Sequence, residues 1–166
     1  QTCALPIYAI VFACDEHAHG VHILFDNKVI LGTRARKTHT KSFNAFKSID
    51  FPEIAIVRDR RVRYYIEEKV SEDGPDFYTS LDPKVFVLRL VPGMNPDIFS
   101  FLKDHYDGLV IESFGVGGIP CYDNESFVDA VADWIACGKA LVMTTQVPHE
   151  GSDMSVYMVG QVIKKK

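Results

Sequence analysis

Three short apolar runs separated by two stretches of helical period constrain this chain more than any other feature of it. The runs are VFVLRL at 85–90, GLVI at 108–111 and ALVMTT at 140–145. Between the first two, PGMNPDIFSFLKDHY offers Asn95 as a cap and Pro96 at the first helical position, with Ile98, Phe99, Leu102 and Tyr106 on one face. Between the second and third, a helix is expected from about Asn124, with Phe127, Val128, Val131 and Ile135 inward and Gly138 as its stop. Strand, helix, strand, helix, strand implies parallel neighbours, because only a crossover connection joins parallel strands. VFVLRL then reads as a buried strand. Ligands of such sheets sit beyond the carboxyl ends of the strands. Two polar segments fall there, SFGVGGIP at 113–120 and TTQVPHEGSD at 144–153.

Upstream the pattern differs. An apolar stretch, Ala9 to Cys14, ends in DEHAHG, which reads as an exposed turn after a helix. VHILF at 21–25 and VIL at 29–31 read as two strands around the turn residues DNK. GTRARKTHTKS at 32–42 reads as a basic loop, IAIV at 54–57 as a further strand, and RDRRVRYYIEE as one strand with a wet face and solvated arginines. Residues 70–84, rich in Asp, Ser, Gly and Pro, have no sustained period and mark a boundary between two units. The fold class is therefore α/β in two parts, the carboxyl part a parallel-sheet β/α unit.

Gly115, Gly117 and Gly118 allow close backbone approach and positive φ at a strand end, which suits a ligand loop and equally a tight turn. They are not a dinucleotide fingerprint, since the third glycine of GxGxxG falls on Pro120, and no GK[ST] follows. Thr144, Thr145, His149, Glu150 and Asp153 gather titratable groups after a strand, as acid and base chemistry would require, though a capped loop looks the same. Cys121 beside the glycines reads as a passive thiol, for no histidine partner can be assigned to it. His17, His19 and His22, with Asp15 and Glu16 near, read as surface residues rather than metal ligands. Arg34, Arg36, Lys37 and Lys41 suit anions or a solvated loop.

A formal net charge of −4 provides no global positive field for nucleic acid, so small-molecule chemistry is expected. Asp26, Arg89, Asp107 and Lys139 interrupt every apolar run short of the roughly 18 to 20 residues a membrane helix needs. Cys3, Cys14, Cys121 and Cys137 lack CxxC spacing, which fits a reducing, cytosolic setting without zinc or disulfides. Residues 1–7, QTCALPI, back-translate to the end of a common sequencing-library adapter, lack the features of a signal peptide, and are expected to lie outside the fold.

Three strings carry a family resemblance: VHILFDNKVILGTRARKTHTKSFNAFKSIDFPEIA, GLVIESFGVGGIP and VMTTQVPHEGSDMSVYMVG. In this order and spacing they resemble the bacterial type I, cytoplasmic L-asparaginases, over nearly everything from Tyr8 to Gly160. The resemblance implies that residues 8–70 are the end of an amino domain, 71–84 an interdomain linker and 85–166 most of a carboxyl domain. It implies hydrolysis of L-asparagine to L-aspartate and ammonia by a threonine nucleophile, through an acyl-enzyme and without a cofactor. Family members carry that nucleophile on the motifs TGGTI and GTD[TS], with a lysine, in the amino domain. Neither string occurs here, no residue of this chain is assigned to catalysis, and the chain is expected to be an inactive internal fragment of marginal stability with unpaired strand edges.

In the family the carboxyl-domain glycine loop completes the active site of a neighbouring subunit, which implies a homodimer or homotetramer. Gly115, Gly117 and Gly118 match that loop, and Glu150 is read as a second contributor. Many members have asparagine where Gly118 stands, and glycine cannot supply that side-chain hydrogen bond. Glu112 and Val147 replace an arginine and a cysteine of some type I enzymes, so regulation by asparagine is not carried over. Two other readings stay open: the asparaginase-like subunit of a tRNA-dependent amidotransferase, and a non-catalytic binding domain of the same fold.

Overall fold

The computed structural model describes residues 4–67, 69–70, 74, 76–120 and 126–153. The chain divides into two compact units, Gln1–Asp76 and Phe77–Lys166.

In the first unit, helix α1 (Ala4–Ala13) lies over a four-stranded antiparallel sheet. Its strands are β1 (His22–Phe25), β2 (Lys28–Leu31), β5 (Ala55–Arg58) and β6 (Arg61–Tyr64), adjacent in that order. Ala4–Ile7 join α1, where the sequence reading sets them outside the fold. Pro6 is accommodated because the first helical N–H groups have no intrahelical acceptor. Phe12 anchors the helix on Val29, Ile54, Ala55 and Val57, all buried. Asp26 and Asn27, with φ of 50° and 64°, turn β1 into β2, as the DNK string predicts, although Lys28 already belongs to β2.

The run RDRRVRYYIEE is not one strand. Arg58 ends β5, Asp59 and Arg60 turn at φ of 50° and 58°, and Arg61 begins β6. This turn escapes a sequence reading because left-handed Arg60 gives none of the usual glycine or asparagine signal. The basic loop expected at 32–42 is also partly strand. After a 3-10 turn at Gly32–Arg34, β3 (Ala35–Lys37) pairs antiparallel with β4 (Phe46–Ser48). Arg36 and Lys37 are exposed, so β3 has no apolar alternation to betray it. What fixes the hairpin is backbone pairing and the packing of Phe46 on Phe25, with ring centroids 5.3 Å apart.

The second unit is the parallel sheet the alternation predicts, β7 (Val85–Arg89), β8 (Gly108–Ser113) and β9 (Ala140–Thr145) in that order. Crossovers α2 (Ile98–His105) and α3 (Ser126–Ala136) step across the sheet in one direction and pack on each other. Two crossovers of the same right-handed sense place both helices on one face. Among the described residues only that face is covered. Leu88 is buried, but Val85 and Val87 are 49% and 56% exposed, so β7 is half-buried rather than buried.

Helix α2 begins at Ile98, two residues after the expected Pro96. Asn95 does not cap it but closes a turn, its Oδ1 accepting the Asp97 N–H at 2.9 Å. In α3 the inward positions are Phe127, Val128, Val131 and Trp134, not Ile135, which is 43% exposed. Trp134 prevails because its ring fills the interior completely while its Nε1–H finds an acceptor, the Ala140 carbonyl at 3.0 Å. Asn124 and Cys121 lie outside the described residues. Gly138, at φ 75°, ends the helix as predicted. Phe99, Leu102, Leu109 and Ile111 complete this core, each contributing roughly 1.5–3 kcal/mol on burial.

Candidate functional site

The carboxyl ends of β7, β8 and β9 are laced together by residues that the sequence pattern does not single out. Ser113, with no exposed surface, donates its hydroxyl to the Thr144 carbonyl at 2.7 Å. The Gln146 N–H donates to the Ser113 carbonyl at 3.1 Å. Its side-chain Nε2 spans the sheet end, donating to the Leu90 carbonyl at 2.7 Å and to that of Glu112 at 3.0 Å. Across the outer face Arg89 pairs with Glu112 at 2.9 Å, an exposed contact worth at most about 1 kcal/mol. A glutamine directly after a strand was the available signal for this brace.

On that platform stands the glycine loop. Phe114 and Gly118 bridge antiparallel, and the N–H groups of Gly117 and Gly118 both donate to the Phe114 carbonyl, at 3.0 and 2.7 Å. Gly115 sits at φ 49° and Gly117 at φ 143°, so the first needs a left-handed residue and the second a conformation that side chains rarely adopt. The amides of Gly115 and Val116 have no acceptor among the described residues. The loop tip therefore offers two adjacent N–H donors, suited to a carboxylate or amide oxygen.

The β9 extension is fastened to this loop. The Thr145 hydroxyl donates to the Gly115 carbonyl and accepts the Val147 N–H at 3.0 Å, while the Asp153 N–H donates to the Val116 carbonyl at 2.7 Å. The two predicted ligand segments thus form one structure. Within it Gly115 is exposed and Gly117 buried, and Glu150 is exposed at φ 72° in the segment that Thr145 and Asp153 fasten to the loop. Glu150 shares the left-handed conformation of the turn residues Asp26, Asn27, Asp59 and Arg60, which costs a non-glycine residue some strain. Thr144 and Thr145 serve the brace, and His149 and Asp153 are exposed.

The histidines of the first unit stand apart from one another in role. His17 is exposed beside Asp15, 3.3 Å from its carboxylate. His22 is not a surface residue but half-buried, edge-on to Phe12 at 5.2 Å. Asp15 is held below the usual carboxylate range, first by the His17 backbone N–H and, against the opposing cost of burial, by the Tyr64 hydroxyl. Among the described residues no group of three or more His, Cys, Asp or Glu is arranged to hold a metal ion, and no helix is long and apolar enough to cross a membrane.

Comparison with known proteins adds identity to this geometry. Residues 84–166 match the glutaminase/asparaginase C-terminal domain, and residues 6–70 the asparaginase N-terminal domain. An L-asparaginase of Thermococcus kodakarensis is 37% identical over 142 residues, covering 86% of this chain and 43% of that protein. A solved structure of the thermostable L-asparaginase from that organism superposes with a TM-score of 0.88 at 35% identity, over 97% of this chain and 48% of the other. A glutamyl-tRNA(Gln) amidotransferase subunit of Methanopyrus kandleri is 30% identical over 141 residues, covering 80% of this chain and 30% of that protein. The chain spans less than half the length of these relatives. It belongs to the glutaminase/asparaginase family.

Proposed function

We propose that this chain is part of an L-asparaginase of the cytoplasmic type I kind, which hydrolyses L-asparagine to L-aspartate and ammonia. The observation that carries the reading is the likeness to the Thermococcus L-asparaginase, in sequence and in fold, across both units. The glycine loop's Gly115 and Val116 amides, without an acceptor among the described residues, support it as a source of backbone donors. In this reading the loop contributes Gly115, Gly117, Gly118 and Glu150 to the recognition of L-asparagine at a boundary between subunits of a homodimer or homotetramer. The threonine nucleophile comes from sequence other than these 166 residues, and the chain by itself turns over no asparagine. Its scattered cysteines, two of them exposed and free, suit a reducing cytoplasm.

The test is ammonia release from L-asparagine by the complete protein and by the 166-residue chain in parallel. Turnover by the first and none by the second is expected. Absence of turnover by the complete protein, or of TGGT and GTD motifs in it, refutes the reading. The amidotransferase reading has support in the Methanopyrus relative, at 30% identity. It requires activity dependent on charged tRNA, which the same assay detects when tRNA is added. Asparagine binding without ammonia release identifies a non-catalytic member.

A further inference from the structure

On the face of the amino-unit sheet turned away from α1, an aromatic cavity and a row of arginines lie side by side. Val62 and Tyr64 pack on the α1 side, so by strand alternation Arg61, Arg63 and Tyr65 face the other way. Register sets Arg61 opposite Arg58, Arg63 opposite Ile56, and Ile56 in turn opposite Lys28. Lys28 and Tyr65 both line a cavity of about 540 Å³, with Phe46, Phe51, Pro52 and Ser48 among its other walls. The cavity is within the usual range for small-molecule sites.

Three features here have no explanation in the fold. Arg58 and Arg61 face each other directly, an arrangement of like charges that destabilises a strand pair, and neither they nor Arg63 form an ion pair among the described residues. The Ser48 hydroxyl is buried without a hydrogen-bond partner among those residues, which a native protein seldom leaves so. The Tyr65 ring is 61% exposed at the cavity wall. Lys28 is matched by Glu53 at 2.6 Å, while Lys47 adds a further positive charge to the cavity wall beside the arginine row. A net charge of −4 for the whole chain does not cancel a field this local.

We propose that this face binds a nucleotide. Its base packs among Phe46, Phe51 and Tyr65, and its phosphates lie on Arg63, Arg61 and Arg58. The ligand chemistry is a flat aromatic ring joined to two or more phosphates, the ring suited to the aromatic walls Phe46, Phe51 and Tyr65 and the phosphates to the guanidinium row and Lys47. Guanidinium forks hold phosphate oxygens in pairs, and ring stacking on an exposed tyrosine is available to any base. The proposal is independent of the asparaginase reading, since no residue of the glycine loop enters it.

The experiment is calorimetric titration of the full chain with ATP in the absence of divalent metal, then with adenosine, pyrophosphate, an oligoadenylate and a polyglutamate peptide. Saturable ATP binding is expected, weakened at least about tenfold in Arg58→Gln/Arg61→Gln/Arg63→Gln while adenosine binding is unchanged. Tyr65→Ala weakens both. Oligoadenylate binding tighter than ATP, with the same losses, supports the site and assigns it to nucleic acid rather than free nucleotide. No saturation by about 5 mM ATP overturns the proposal, as does pyrophosphate binding equal to ATP, a preference for polyglutamate, or undiminished ATP binding by the triple variant. Circular dichroism checks the fold of each variant. Should the triple variant not fold, Tyr65→Phe, expected to bind as the parent does, against Tyr65→Ala decides the base site.

Discussion

The Ser113 hydroxyl reaches the Thr144 carbonyl at 2.7 Å from a side chain that has no contact with solvent. It fastens β8 to β9 at the ends from which both ligand segments depart. Ser113→Ala removes the donor and leaves the carbonyl without that partner, a loss of about 1–3 kcal/mol. Urea unfolding of the variant is expected to show a lower midpoint with an unchanged slope. An unaltered midpoint would mean the brace carries no energy.

Trp134 is the sole tryptophan, fully buried, and its ring N–H holds the Ala140 carbonyl. Its fluorescence therefore reports unfolding of the second unit alone. Trp134→Phe keeps most of the packing and loses one hydrogen bond, at a cost of about 0.5–1.5 kcal/mol. Trp134→Ala opens a cavity and costs about 3–5 kcal/mol. Circular dichroism melts of the two variants should rank in that order.

The glycine loop separates its glycines by conformation. Gly115, at φ 49° with nothing within 4 Å of an added Cβ, accepts asparagine or alanine for about 1 kcal/mol. Gly117, buried at φ 143°, does not accept alanine without distorting the loop. Gly117→Ala is expected to lower thermal stability more than Gly115→Ala. On the proposed asparaginase reading, it also lowers kcat/KM for asparagine more in the complete protein.

Acid should weaken the first unit through Asp15, whose carboxyl lies below its ordinary value because the His17 N–H and the Tyr64 hydroxyl donate to it. A carboxylate with a depressed folded pKa stabilises the fold fully above the unfolded value, near pH 4, and loses that contribution as pH falls through the folded value. The stability gap between the parent and Asp15→Asn should be present at about pH 5 and shrink as pH falls below about 4. A gap that widens as pH falls below about 4 would reverse the assignment.

The carboxyl unit was legible because its order of apolar runs admits few topologies, and Gly115, Gly117, Gly118 and Glu150 could be placed at a strand end by the same logic. What period analysis missed were residues whose job is polar and tertiary. Gln146 and Ser113 satisfy carbonyls contributed by residues up to 56 positions away, which no local window contains. Trp134 and Ile135 are neighbours on the helix, and helical period alone does not separate them; Trp134 is the one that fills the interior, with its ring N–H on the Ala140 carbonyl of β9. The β3–β4 hairpin was hidden by the charge of Arg36 and Lys37, and the β5–β6 turn by an arginine in a left-handed conformation.

Glu150 offers the sharpest separation of stability from function. Its φ of 72° is unfavourable for a glutamate and natural for glycine, and Gly151 behind it has the same φ. If the strain serves only the turn, Glu150→Gly raises stability and leaves activity alone. If the carboxylate is aimed at substrate, the same change raises or preserves stability, by up to about 1 kcal/mol net of the greater chain entropy of glycine, while activity falls. On the proposed asparaginase reading the expected result in the complete protein is the second, with kcat/KM reduced at least about tenfold, or about 1.4 kcal/mol of lost transition-state binding. Glu150→Gln, which keeps the side-chain length and removes the charge, should fall with it if the charge matters. Full activity in both variants would take Glu150 out of the site.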